Sequence, residues 1–363
     1  MSQVGIGIIG CGNISSAYLS AARHFPVLNI RALADINPEA AQSRSREYGI
    51  PAVGVQSLLD DPEIEIVINL TVPQAHVEVG LKAVAAGKHV HSEKPLGISV
   101  AEATRLMEAA KARGVRIGCA PDTFLGGAQQ TCRKLIDDGA IGDVISGTAF
   151  FMCPGHEKWH PNPAFFYAAG GGPVLDMAPY YLTSLVNLLG PVKRVTAMSS
   201  QLRRQRTIES QPLKGRAISV QVPTHVAGLL EFKSGTIVTM VMSFDVVQHA
   251  HRPMELYGST GSLSVPDPDK FGDPIELADE TGSWTPVVTA FPYADRNYRI
   301  LGVADMALAI RTGHPHRTSG ELAFHVLEVM EALDVSAGRG THVEMGSSPP
   351  RPAAMPPNPR FDP

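Results

Sequence analysis

The sequence lacks the features that mark several specialised classes of protein. Its 363 residues include four cysteines, none in a C-x-x-C pair or beside a histidine at zinc-finger spacing. We therefore expect reduced thiols and no metal site. No apolar run approaches the roughly 20 residues of a membrane span, and the N-terminus shows no basic segment or cleavage site of a signal peptide. These absences predict a cytoplasmic protein with no membrane partner.

Charge is sparse and nearly balanced. The formal net charge is -4 and charged residues make up 18% of the chain, which argues against a nucleic-acid partner. The short basic run RRQR at 203–206 is predicted to be a solvated loop. With 44% hydrophobic residues, the composition is typical of a globular protein, and the length allows two domains.

The first 120 residues alternate strand and helix signals. VGIGIIG at 4–10 is continuously apolar, as in a strand buried on both faces of a parallel sheet, and a helical segment follows it. The alternation continues with short links as far as VRIGCA at 115–120. We predict a doubly wound parallel sheet, and hence an α/β domain, over residues 1–120.

After Ala120 the pattern changes to alternating strands. KSGT at 233–236 and GSTG at 258–261 are hairpin turn signals between them. We predict a second, α+β domain over residues 121–345 with a mostly antiparallel sheet, closed by helices near 298–312 and 319–337. The proline-rich segment 346–363 is predicted to be extended or disordered unless it docks.

The strand predicted at 236–246 is apolar on both of its faces. One face carries Val238, Met240, Met242 and Phe244, and the other carries Ile237 and Val241. One face can pack against helices of its own domain, whereas the other needs a cover. We therefore expect a homodimer or homotetramer formed through this sheet.

A glycine-rich turn links the first strand to the first helix, with Gly10, Gly12 and Ser15 in a G-x-G-x-x-S arrangement. Gly10 permits the tight turn, and Gly12 lets a pyrophosphate approach the helix N-terminus, where free N–H groups favour anions. Ser15 is small enough for close helix–strand packing. The candidate cofactor-binding residues here are Gly10, Cys11, Gly12, Asn13, Ile14 and Asp35.

Asp35 ends the second strand, where a carboxylate accepts hydrogen bonds from the 2′-hydroxyl of a ribose. Ile36 and Asn37 follow it, and neither is a cation. A 2′-phosphate would therefore meet a carboxylate alone, and NAD is predicted in preference to NADP.

Four segments together resemble the glucose–fructose oxidoreductase / inositol dehydrogenase / MocA family. They are GCGNIS at 10–15, ALADINPEAA at 32–41, LTVPQAHVEVGLKAVAAGKHVHSEKPL at 70–96 and GGGPVLDMAPYYL at 170–182. The resemblance extends over about residues 4–340, and the EKP motif at 93–95 is its most specific element. It implies an N-terminal Rossmann domain, a C-terminal domain with an open antiparallel sheet, and oxidation or reduction of sugars, polyols or related compounds with NAD or NADP.

The resemblance also implies roles for individual residues. By it, Thr71, Pro73 and His76 line the groove from adenosine to nicotinamide, Glu93 and Lys94 lie beside the nicotinamide, and Asp176 faces them from the second domain. The family's frequent catalytic histidine, four residues after that aspartate, is Tyr180 here. This departure leaves the proton-transfer group open.

Lys94 is our candidate for that group. Hydride transfer from an alcohol needs a group that accepts the hydroxyl proton. Lys94 follows a strand at the C-terminal edge of the predicted sheet, where open α/β sheets bind ligands, and Pro95 restricts its backbone. Partial desolvation would lower the pKa of this lysine toward the working range. The alternative is a lysine in a surface salt bridge.

Asp176 and Tyr180 are four residues apart and share a helix face. Pro179 is expected in the first turn, which would place Asp176 near the N-cap. Asp176 is then a helix cap, a carboxylate that tunes Lys94 or contacts the substrate, or both. Tyr180 either contacts the substrate oxygen, as a proton relay or a ligand, or packs in the core.

The segment CPGHEKWHPNPAFFY at 153–167 suggests a substrate loop. Trp159 offers an apolar face to a sugar ring, and His156, His160 and Asn162 offer hydrogen bonds. The alternative is an irregular loop with exposed histidines.

Three functions follow from these patterns. The first is an NAD-dependent oxidoreductase acting on a sugar, polyol or keto-sugar. The second is a glycoside hydrolase or lyase that retains NAD and acts by transient oxidation. The third is a non-catalytic sensor that binds a dinucleotide and a sugar.

Overall fold

The computed structural model describes residues 2–362, and the chain divides into two units. The first unit comprises the chain up to Gly127, Phe291–Phe324 and the segment from Met355 onward, and the second comprises Ala128–Ala290 and His325–Ala354. The first unit therefore takes in two segments that follow the second domain's strands in sequence. Sequence patterns did not indicate this return, because a returning segment has no periodicity of its own.

The α-helices, in chain order, are α1 (Ser15–Ala22), α2 (Pro38–Tyr48), α3 (Val55–Asp60), α4 (His76–Ala85), α5 (Val100–Arg113), α6 (Gly127–Asp137), α7 (Gly172–Leu189), α8 (Leu301–Thr312) and α9 (Gly320–Arg339). Within residues 2–362, no helix combines the length and the apolar composition that crossing a membrane requires.

The strands are β1 (Val4–Ile9), β2 (Leu28–Ala34), β3 (Ile66–Asn69), β4 (His89–Ser92), β5 (Ile117–Cys119), β6 (Val144–Met152), β7 (Val192–Ser200), β8 (Gln205–Thr207), β9 (Ala217–Ser219), β10 (His225–Phe232), β11 (Ile237–Ser243), β12 (Met254–Gly258), β13 (Gly261–Val265), β14 (Ile275–Asp279), β15 (Trp284–Val287) and β16 (Val343–Glu344).

The first unit is built on a five-stranded sheet in the order β2-β1-β3-β4-β5. Every pairing is parallel, with Ile6 opposite Ile66 and Val67 opposite Val90. All residues of β1 and β3 are buried, as their continuous apolar sequence requires when both faces of a sheet are covered. The predicted parallel sheet is confirmed.

Helix α2 illustrates how local sequence fixes these elements. The side chain of Asn37 caps it by accepting from Glu39 N at 3.1 Å, and Pro38 fills the first turn. Gly49 ends it in the left-handed conformation, with φ 70°. The helix therefore begins three residues after Asp35, and its Arg44 side chain bonds to Ser15 and Gly12 of the glycine-rich turn.

The second unit contains a nine-stranded sheet in the order β15-β14-β13-β12-β6-β11-β10-β7-β16. Strands β6 and β11 pair in parallel, and the other pairs are antiparallel. On β11, Val238, Met240 and Met242 are buried, whereas Ile237 is 49% exposed. The mostly antiparallel sheet and the two-sided apolar strand are as predicted.

The proline-rich tail is extended and docked. In the second unit, Pro352 O accepts from the Arg133 guanidinium at 2.9 Å. In the first unit, Phe361 O accepts from Val27 N at 3.0 Å, and the Phe361 ring packs edge-on against Phe25 at 5.4 Å between centroids. The tail was predicted to be extended or disordered unless it docks, and the structure shows that it docks.

Candidate functional site

The glycine-rich turn between β1 and α1 has the geometry of an anion-binding loop. Gly10 has φ 104°, and a Cβ there would lie 2.5 Å from the backbone carbon of Leu70, so only glycine fits. Nothing lies within 4 Å of a Cβ added to Gly12, so the loop has an open side. Helix α1 has no side-chain cap, and Ser15 N and Ala17 N of its first turn donate to Gly12 O at 3.3 Å and to Ile14 O at 3.0 Å. The positive end of the helix dipole favours an anion at this position.

Asp35 is held beside this loop by two backbone amides. Its Oδ2 accepts from Cys11 N at 2.7 Å, and its Oδ1 accepts from Asn37 N at 2.8 Å. Each carboxylate oxygen keeps a further lone pair. Loop and carboxylate together fit the pyrophosphate and the ribose hydroxyls of a dinucleotide.

The segment after β3 is tied to the EKP motif by His76. Its buried ring lies 2.9 Å from Thr71 O and 2.7 Å from Pro95 O. Burial lowers the pKa of His76, against the two carbonyls that favour its protonated form. Thr71 is fixed further by its hydroxyl, which donates to Asn69 Oδ1 at 2.7 Å. The predicted groove residues Thr71 and His76 therefore lie next to one another, with Pro73 between them in a 3₁₀ turn.

The Glu93 carboxylate fixes the backbone at Lys94 by a hydrogen bond. One carboxylate oxygen accepts from Tyr18 OH at 2.8 Å and the other from Lys94 N at 2.9 Å. Burial, with the nearby Glu93 charge, raises the pKa of Tyr18, so that its hydroxyl stays a donor. Glu93 is 8% exposed, and Lys94, half-buried, precedes a cis peptide bond to Pro95. Glu93 therefore serves to position Lys94.

In the second unit, Asp176 is hydrogen-bonded to His156, which lies in the loop at 153–167. His156 Nε2 lies 2.9 Å from Asp176 Oδ2. The His156 ring is buried among Phe166, Phe244 and Trp159, with centroids at 4.3, 4.5 and 5.2 Å. The sequence indicates both residues but not their pairing, because they are 20 residues apart on different elements and follow no periodic pattern.

The predicted position of Asp176 in its helix is wrong. Helix α7 begins at Gly172, so Pro173 takes the first-turn position and Pro179 lies inside the helix. Asp176 is therefore in the second turn, is not an N-cap residue, and is available for His156. Tyr180 lies one turn later on the same helix and is 7% exposed.

Buried charged residues fix the loop at 153–167. Arg206 donates to Glu157 at 2.7 Å and also pairs with Asp245, and Tyr167 OH donates to Glu157. The Arg206 side chain is only 1% exposed. The prediction that 203–206 is a solvated loop is therefore wrong for Arg206, whose side chain points inward from β8.

The part of this loop at 159–162 is accessible to solvent. Trp159 is 62% exposed, Asn162 is exposed, and His160 is half-buried. Asn162 N donates to His160 Nδ1 at 3.1 Å, which fixes the imidazole. An aromatic face beside polar groups is the surface that a sugar ring requires.

Two family models match the chain. Residues 4–120 match an oxidoreductase family with an NAD-binding Rossmann fold, and residues 129–264 match the GFO/IDH/MocA C-terminal domain. The first unit therefore contains an NAD-binding Rossmann domain.

Several named relatives are sugar oxidoreductases. Levoglucosan dehydrogenase of Pseudarthrobacter phenanthrenivorans is 26% identical over 294 residues, which cover 72% of this chain and 73% of that enzyme. The dTDP-3,4-didehydro-2,6-dideoxy-alpha-D-glucose 3-reductase of Streptomyces violaceoruber is 30% identical over 267 residues, 72% of each chain. Among solved structures, levoglucosan dehydrogenase in complex with NADH has a TM-score of 0.83 at 22% identity, over 95% of this chain and 100% of that one. The chain therefore belongs to the glucose–fructose oxidoreductase / inositol dehydrogenase / MocA family of oxidoreductases.

Proposed function

We propose that the protein transfers a hydride between NAD and a sugar, polyol or keto-sugar. The observation that carries this proposal is the open glycine loop with Asp35 beside it, in a chain whose named relatives act on sugars. Oxidation of an alcohol releases a hydride, which NAD accepts when bound, and a proton, which a base on the protein must take.

Lys94 is proposed as that base. Glu93 fixes its backbone through Lys94 N, so the amine projects from a defined point after β4. Tyr180 is the competing group, but the reference pKa of tyrosine is about 10 and its burial opposes ionisation. Desolvation disfavours the charged form of a side chain, so it makes a lysine amine available as a base and keeps a tyrosine hydroxyl protonated.

Residues of the second unit are proposed to orient the substrate. Asp176 tunes the proton transfer and Tyr180 binds or relays at the substrate oxygen. His156 donates from Nε2 to Asp176 and so fixes the carboxylate rotamer. Trp159, His160 and Asn162 contact the sugar ring.

The experiment for this assignment compares Lys94→Met with Tyr180→Phe. Removing a positioned acid–base group costs about 10²–10⁴ in rate. We expect Lys94→Met to lose kcat on that scale while binding NAD nearly normally, and Tyr180→Phe to lose less. Near-wild-type kcat in Lys94→Met, with an inactive Tyr180→Phe, would reverse the two roles.

We also propose that the protein forms a homodimer or homotetramer through the outer face of the nine-stranded sheet. Met198, Leu229 and Ile237 lie on that face and are 82%, 45% and 49% exposed. Exposed apolar side chains adjacent on one sheet face are typical of a protein interface.

A further inference from the structure

Ser15 departs from the usual dinucleotide fingerprint, in which glycine or alanine takes this position. In the structure the serine is fully buried at the start of α1. Its hydroxyl donates to Gly12 O at 2.6 Å, and its backbone N–H donates to the same oxygen at 3.3 Å. The hydroxyl therefore bonds to a carbonyl of the glycine loop itself.

Arg44 of α2 reaches the same two groups. Its Nε donates to Ser15 Oγ at 3.1 Å, and one terminal nitrogen donates to Gly12 O at 3.3 Å. The other terminal nitrogen pairs with Glu47 at 2.6 Å. All three guanidinium nitrogens thus have partners, and the planar fork is held in one orientation.

Fixing the orientation of the Gly12 carbonyl also fixes the orientation of a hydrogen-bond donor, the Asn13 N–H. The peptide between Gly12 and Asn13 is planar and trans, so its C=O and N–H point in opposite directions. With the carbonyl held by Ser15 and Arg44, the Asn13 N–H is directed away from them. Asp35 holds the Cys11 N–H of the same loop, so Arg44 and Asp35 together define two of its peptide planes.

We propose that Arg44 is a cofactor-positioning residue, which aims the N–H groups of the glycine loop at the pyrophosphate of NAD. The inference rests on the NAD-binding role of the first unit and is independent of the substrate. Arg44 stands nine residues after Asp35, outside any sequence motif, and only the packing of α2 brings it to the loop.

The test is calorimetric titration of NAD and NADP into purified variants, without substrate. The variants are Arg44→Gln, Arg44→Lys, Ser15→Ala and the double variant Arg44→Gln/Ser15→Ala, with Arg46→Gln as the matched control. Arg46 is an exposed arginine on the same helix. Hydrogen exchange of residues 10–15 in the dinucleotide-free proteins shows whether the loop has loosened.

We expect Arg44→Gln to weaken NAD and NADP alike, by about tenfold, because the pyrophosphate loop serves both. Arg44→Lys should recover part of the loss. The double variant should lose less than the product of the single effects, since the two residues act on one carbonyl. Exchange in the loop should rise in Arg44→Gln and stay unchanged in Arg46→Gln.

Three outcomes would overturn the proposal. They are wild-type affinity and loop exchange in Arg44→Gln, fully multiplicative effects in the double variant, and a loss confined to NADP, which would mean direct contact with a 2′-phosphate. A wild-type protein that binds neither dinucleotide would instead contradict the NAD assignment on which the proposal stands.

Discussion

Asp35 lies at the end of β2 with its two carboxylate oxygens accepting from Cys11 N and Asn37 N. These bonds fix the carboxylate beside the glycine loop, and Ile36, 98% exposed, supplies no cation next to it. A 2′-phosphate carries up to two negative charges and would be repelled here. We therefore attribute the predicted preference for NAD to the side chain of Asp35.

We predict that NAD binds more tightly than NADP by about tenfold or more, and that Asp35→Ser narrows this difference. Titration of both cofactors into the wild-type protein and the variant measures it. Asp60→Ser, at an exposed aspartate of α3, is the control and should keep the wild-type ratio. Tighter binding of NADP by the wild-type protein would contradict the assignment of Asp35.

His156 gives a second prediction for a single residue. His156→Phe keeps an aromatic ring among Phe166 and Phe244 but removes the donor to Asp176. We expect kcat to fall about tenfold with NAD affinity unchanged, and His156→Gln to recover part of it.

His160→Phe is the comparison variant, because His160 lies in the same loop and its Nδ1 accepts from Asn162 N. This variant should raise KM for the sugar more than it lowers kcat. A His156→Phe enzyme with wild-type kcat would show that the His156–Asp176 pair has no part in turnover.

At the scale of elements, the tail completes the core of the first unit. Met355 and Phe361 are 4% and 5% exposed, and the Phe361 ring also lies 6.0 Å from that of Tyr293. Proline fixes φ along the segment and so reduces the entropy lost when it docks. The tail is therefore part of the folded structure.

We predict that Phe361→Ala lowers the free energy of unfolding by about 3 kcal/mol, the typical cost of truncating a buried phenylalanine. Urea unfolding followed by circular dichroism measures the change. Arg360→Ala, at the exposed neighbour, should cost little. Equal stabilities of the two variants would mean that the tail does not contribute to the core.

The elements near the cofactor could be predicted because their signals are local. Continuous apolar runs such as β1, caps such as Asn37, and the glycine turn each depend on a few neighbouring residues. The predicted start of α7 was wrong, because either of two prolines could occupy the first turn. Pro173 takes it, and Pro179 is accommodated inside the helix.

The residues of the candidate site could be predicted from the sequence, but the hydrogen bonds and ion pairs between them could not. His156 and Asp176 were both candidates, yet their hydrogen bond depends on how the loop packs over α7. Arg206 was assigned to solvent because its neighbours are basic, and its buried ion pairs with Glu157 and Asp245 depend on long-range folding. Such contacts leave no periodic pattern in a single sequence.

At the scale of the whole molecule, the outer face of the nine-stranded sheet predicts self-association. Leu229 and Ile237 on β10 and β11 border a groove on that face. A carboxylate placed there would lose its hydration in any interface, at a cost of several kcal/mol. Leu229→Asp is therefore the informative change.

We expect the wild-type protein to be dimeric or tetrameric by light scattering at micromolar concentration, and Leu229→Asp to be monomeric. Leu202→Asp is the control, because Leu202 is 86% exposed and lies beyond the end of β7. It should assemble like the wild-type protein. A wild-type monomer would refute the proposed interface.

The proposed function requires that the protein consumes free NAD or NADH while it oxidises or reduces a sugar-like substrate. A screen of sugars, polyols and keto-sugars, following NADH absorbance in both directions, tests it most directly. The account predicts multiple turnovers of added NAD or NADH with at least one such compound, and loss of about 10²–10⁴ in that rate in Lys94→Met. Cleavage of a glycoside by protein that retains NAD, with no net change in free NADH, would contradict it, as would sugar binding without any chemistry.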